Sequence, residues 1–172
     1  MQDTPILTHP NITPRIHEGT PLRPASKYRA ALLQMAAGRR FTHWVTLTTH
    51  DDYTLARAND RLRRWRVEVF RRLHGRRFFD LPEDQRVYYI GCPELGLSGH
   101  PHFHLACWVP DELHARFVDV GCQRWKAIVP SGRFHQEPFG DGPNAVRFRL
   151  GYASKELHVR SDLPFVDSRI YQ

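Results

Sequence analysis

Hydrophobic and polar residues alternate most regularly in FTHWVTLTTH, residues 41–50, where Val45 and Leu47 fall on one face and Thr46 and Thr48 on the other. A period of two in an aromatic and β-branched run predicts a strand. Asp51 and Asp52 supply a turn and a cap. Over residues 54–73 the period changes, with Leu55, Leu62, Trp65, Val69 and Leu73 recurring at helical spacing. RVYYIGCPE (86–94) and PHFHLACWV (101–109) read as two further strands, and the six glycine-containing residues between them predict a hairpin. Pro110 ends the pair, and Asp111 and Glu112 open a short helix carrying Leu113, Phe117 and Val120 on one side. Short strands are expected around 127–129 and 134–136, then a turn at 140–143. A last helix is expected over 144–157 with Val146, Leu150, Ala153 and Leu157 as its stripe.

The chain before residue 41 is different. Residues 1–25 are punctuated by proline and read as an extended arm, followed by a short helix over 27–37 that Gly38 closes. The tail beyond Ser161 shows no decisive period. Strand, helix, hairpin, helix, strand, helix is the pattern of an α+β domain over 26–172, a mainly antiparallel central sheet with helices packed on it.

Composition narrows the class. The 172 residues carry 25 Lys and Arg against 18 Asp and Glu, a formal charge of +7, and 41% of them are apolar. That supports one folded domain with a hydrophobic core. No run approaches the roughly 18 apolar residues that span a bilayer, and the N-terminus lacks the pattern of a signal peptide. A cytoplasmic protein is the expectation. Cys92, Cys107 and Cys122 are too widely spaced for a structural zinc or disulfide framework, and read as structural thiols.

Candidate chemistry concentrates in GHPHFHLACW. Alternation places His102 and His104 on one face and Phe103, Leu105 and Cys107 on the other, apolar one. If the hairpin pairs residue 94 with 102, Glu94 lies beside His102 on the histidine face. His102, His104 and Glu94 then form a mixed N/O set suited to Mn²⁺ or Mg²⁺. His100 is the competing third ligand, its direction obscured by Pro101 and the turn.

In FRLGYASKELH, Tyr152, Lys155 and Glu156 share a helical face. A tyrosine hydroxyl, with a free pKa near 10, becomes a credible nucleophile beside a metal-bound phosphate, where Lys155 adds positive charge. Gly151 in this helix either permits a close backbone approach or marks an irregular turn. Separately, RLRRWRVEVFRRLHGRR holds Arg61, Arg63, Arg64, Arg66, Arg71, Arg72, Arg76 and Arg77 within seventeen residues. With the apolar stripe turned inward, most of these guanidinium groups face solvent and attract phosphates. Trp44, Tyr88 and Trp108 share parity with the polar strand faces and are candidates for stacking on unpaired bases.

Taken in order, these motifs resemble those of the HUH endonucleases, and most nearly the rolling-circle replication initiators of plasmids and single-stranded DNA phages. Leu47, Thr48 and Thr49 match the first motif; Glu94 with Pro101, His102, Phe103 and His104 match the second; Tyr152 and Lys155 match the third. The resemblance spans about residues 41–156. It implies a fold derived from the RRM-like, ferredoxin-like sandwich. It also implies attack by Tyr152 on single-stranded DNA or an origin hairpin, leaving a 5′-phosphotyrosine and a free 3′-hydroxyl. His102, His104 and Glu94 would hold one Mn²⁺ or Mg²⁺, Lys155 would assist, and Thr48 with Arg61, Arg64, Arg71, Arg72, Arg76 and Arg77 would contact DNA. A bacterial or archaeal host would supply helicase and polymerase, and the chain would be a monomer or weak dimer.

Two departures stand out. The second tyrosine that many phage relatives carry one turn from the first is replaced by Phe148 or Glu156, which implies a single-tyrosine mechanism. No GxxxxGK[ST] motif is present, so unwinding is expected from another enzyme. A single-tyrosine transposase or relaxase is the rival within this chemistry. From another class, a DNA-binding accessory protein would bind without forming an adduct.

Overall fold

The computed structural model describes residues 24–51, 53–96, 98–142, 144–155 and 166–168. Most of the expected N-terminal arm, together with Asp52, Pro143, Glu156 and Leu157, lies outside the described residues. The first helix, α1, is Pro24–Ala36, and strand β1 is His43–Thr48. Helix α2, Leu55–His74, is capped by Thr54, whose Oγ1 accepts a hydrogen bond from the Arg57 amide. Strands β2, Tyr88–Leu95, and β3, Pro101–Trp108, form the expected hairpin. Helix α3 is His114–Ile128, β4 is Arg133–Pro138, α4 is Ala145–Ala153 and β5 is Val166–Asp167. Among the described residues no helix is long and apolar enough to cross a membrane.

All five strands join one antiparallel sheet in the order β4-β1-β3-β2-β5. Alternation sends Val45, Leu47, Phe103, Leu105 and Cys107 to one face. There they pack on Leu62, Trp65 and Val69 of α2 and Phe117 and Trp125 of α3. The Trp65 indole seals this layer by donating to the Gly121 carbonyl, 2.9 Å away. The other face carries Trp44, Ile90, Cys92 and Ala106, covered by Leu32 of α1 and Leu150 and Ala153 of α4. Two helical layers thus sandwich the sheet, and the α+β architecture expected from the sequence is the one observed.

Three details differ from expectation. Residues 127–129 do not start a strand, because Phe117, Gly121, Trp125 and Ile128 make one buried helical stripe that carries α3 through Ile128. The tail supplies an edge strand, β5, where Ile90 pairs with Asp167 and Gly91 with Val166. Arg66 is buried rather than splayed into solvent, and it donates to the Ser168 carbonyl. The three cysteines are free; burial pushes the Cys92 thiol up to about 12 and raises that of Cys107 as well.

Candidate active site

β3 is a central strand, and the end of β1 is locked to its start: the Thr49 hydroxyl donates to the Pro101 carbonyl at 2.9 Å. Register then sets one face of the sheet. Glu94 opposes His102, Thr48 opposes His102 from the other side, and Thr46 opposes His104. Directly opposed residues in an antiparallel ladder share a face, so the two histidines, Glu94 and both threonines stand together.

A chain of contacts runs across that face. His104 Nδ1 lies 3.2 Å from Thr46 Oγ1, and its Nε2 lies 2.9 Å from Glu94 Oε2. The other carboxylate oxygen, Oε1, is 2.8 Å from Lys155 Nζ, which donates in turn to the Tyr152 hydroxyl at 3.1 Å. The Tyr152 ring sits edge-on to the His104 ring with centroids 6.2 Å apart, while Trp44 stacks against His104 with centroids 5.7 Å apart. Glu94 is buried, so its charge is held by hydrogen bonds rather than by water. Burial lowers the pKa of His104, the nearby Glu94 carboxylate raises it, and His102 and Lys155 lower it further. The net direction is down, which keeps the imidazole neutral at physiological pH. The pKa of Lys155 is raised, chiefly by its hydrogen bond to Glu94 and next by that to Tyr152.

Tyr152 is positioned by α4, and α4 by a close crossing of α1. A Cβ on Gly151 would stand 2.7 Å from the Arg29 guanidinium, so glycine here serves a close approach. The two histidines of the strand are placed differently: His104 is hydrogen-bonded to Glu94, and the His102 ring packs over Gly96. His100 is turned away, with Nδ1 3.1 Å from the Asp51 carbonyl. Among the described residues no three His, Cys, Asp or Glu side chains are grouped to hold an ion. The His104–Glu94 pair nevertheless fits one. Cis ligands of an octahedral ion at about 2.1 Å stand about 3 Å apart, and Nε2 and Oε2 are separated by 2.9 Å.

Thr48 lies at the rim, accepting from the Arg133 amide at 3.1 Å. Arg61, Arg64, Arg71, Arg72, Arg76 and Arg77 are not part of this site, because α2 packs on the opposite face of the sheet. Trp44 is buried beneath His104 and cannot meet a base. Phe148, in the sequence merely the place of a missing tyrosine, is 76% exposed. It precedes Tyr152, itself 54% exposed, by one helical turn on the same face. The signal for it in the sequence is its position: an aromatic one turn before the candidate nucleophile, off the apolar stripe.

Neither the curated proteins nor the solved structures yield a match to this chain. The family model for the replication-associated protein ORF2 does match, over residues 42–157, which takes in all three motifs and every strand but β5. By its antiparallel sheet, its ordered motifs and this match, the chain belongs to the replication-associated protein ORF2 family, within the HUH replication initiators.

Proposed function

We propose that the chain nicks and rejoins single-stranded DNA through Tyr152 and thereby initiates rolling-circle replication. The observation that carries this reading is the unbroken run of contacts from Tyr152 through Lys155 and Glu94 to His104. It joins a nucleophile, a cation and a carboxylate–imidazole pair on one sheet face.

In the proposed step the Tyr152 oxygen attacks the scissile phosphorus. A phosphorus–oxygen bond forms to tyrosine, the bond to the 3′-oxygen breaks, and the phenolic proton is balanced by the one the 3′-hydroxyl gains. Lys155, donating to the phenol oxygen, stabilises negative charge there as the proton leaves and offers the same charge to the phosphate. His102, His104 and Glu94 are the residues to hold Mn²⁺ or Mg²⁺, which when bound supplies Lewis-acid polarisation of the phosphate. Thr46 orients the His104 ring by occupying Nδ1, leaving Nε2 facing Glu94. Phe148 provides a flat apolar surface for a base next to the scissile phosphate. A polymerase then extends the free 3′-hydroxyl, with unwinding from a host helicase. The chain acts as a monomer or weak dimer in the cytoplasm of a bacterial or archaeal host.

The test is incubation with Mn²⁺ and a random pool of single-stranded DNA, read on a denaturing gel and by intact mass. A metal-dependent adduct that disappears in Tyr152→Phe is expected. Cleavage without adduct would indicate activated water instead, and binding alone would indicate an accessory DNA-binding protein.

A further inference from the structure

We infer that the outer face of α2 is a second DNA surface, which holds duplex backbone on the side of the sheet away from Tyr152. The inference deepens the nicking reading, since it names a second form of DNA for the same protein, and it stands on different residues.

Helix α2 buries Ala58, Leu62, Trp65, Val69, Phe70 and Leu73 against the sheet, so its remaining face is solvent-facing. Two acids answer its arginines there. Asp60 pairs with Arg63 at 3.4 Å, and Glu68 is shared by Arg64 and by Arg124 of α3. Arg71, Arg72, Arg76 and Arg77 are exposed and form no ion pair among the described residues. Arg116 of α3 adds another guanidinium at this end by donating to the Arg72 carbonyl at 2.6 Å. Folding does not ask for this arrangement. Arg57, Arg61 and Arg64 follow one another at spacings where like charges destabilise a helix.

The partner is a polyanion, and the shape and chemistry favour duplex over single strand. Unpaired strands are held by charge together with aromatic stacking. Among the described residues the exposed large apolar side chains are Phe79, Phe148 and Tyr152, and two of these three are on α4 at the nicking face. Phe79 follows α2 and is packed on Phe78 with centroids 3.9 Å apart. The arginine face itself offers no ring. A helix of 20 residues spans about 30 Å, close to one turn of B-form DNA at about 34 Å. Backbone contact without base edges is sequence-independent, so this face would grip whatever duplex flanks the opened strand.

Anisotropy titrations of the full chain against a labelled random-sequence duplex and a short single strand, at several salt concentrations, test the inference. The variants are R71Q/R72Q/R76Q/R77Q and the same four positions changed to Lys. In the Gln set the duplex affinity falls at least about tenfold more than the single-strand affinity. The slope of log affinity against log salt flattens by about 3 to 4, at 0.9 per phosphate contact. The Lys set keeps the slope. An unchanged slope in the Gln set, or equal losses on both DNAs, overturns the inference. Adduct formation is scored in the same samples. A chain that never forms an adduct yet holds duplex through these arginines therefore overturns the nicking reading and keeps this one.

Discussion

Phe148 places a large apolar ring in water one turn from the tyrosine, and nothing in the packing of α4 requires it there. Stacking on an unpaired base contributes about 1–3 kcal/mol. Phe148→Ala is therefore expected to weaken binding of a short single strand about tenfold, and to raise KM with little change in kcat. Thermal stability should move by no more than about 0.5 kcal/mol, as for other exposed positions. Equal KM for the two proteins would remove Phe148 from the site. At this scale, what the sequence made legible depended on period and register. Glu94 could be set beside His102 because one pairing of the hairpin fixes every side chain on it. The direct hydrogen bond from His104 to Glu94, and the Lys155 ammonium across its other oxygen, depend on rotamers and on how α4 lies over β2. No spacing rule carries that information.

Among the elements, the β2–β3 hairpin is the one the site can least spare, and Gly91 is its most constrained position. A Cβ there would come 1.9 Å from the His104 carbonyl oxygen, a backbone atom that cannot step aside without moving the strand. Gly91→Ala should destabilise the protein by about 3 kcal/mol, at the upper end for overpacking, as read from the urea midpoint. A wild-type midpoint would mean that the strands adjust freely. The hairpin and α2 were legible because each shows a sustained period, two in one case and about 3.6 in the other. The end of α3 was not, since Ala127, Ile128 and Val129 have strand-like composition and only their place on the stripe from Phe117 makes them helical. β5 was illegible for a related reason: a two-residue strand has no period, and its pairing to β2 is purely tertiary.

Acid should destabilise the whole molecule. His43 is buried edge-on to His114 and Phe117, and burial, followed by the charge of His114, lowers its pKa from 6.5 to about 4. Burial also lowers the pKa of His74 and His104. A group with a depressed folded pKa binds its proton more readily when unfolded, so stability rises with pH through this window. It is complete above about 6.5 and is lost progressively as pH falls toward 4. The unfolding free energy from urea titrations at about pH 7, 5.5 and 4.5 should fall by a few kcal/mol in total, and less steeply in His43→Phe. A flat profile would show that these rings are solvated.

The helix that carries Tyr152 is anchored lightly. α4 has nine residues, with Leu150, Gly151 and Ala153 buried, whereas His104 and Glu94 belong to strands hydrogen-bonded on both sides within the sheet. Segments with few buried side chains open at lower free energy than the core. A DNA end bonded to Tyr152 would thus ride on a movable arm while the imidazole and carboxylate stay on a fixed floor. The protein could then let the two ends of a broken strand part and meet again without releasing either.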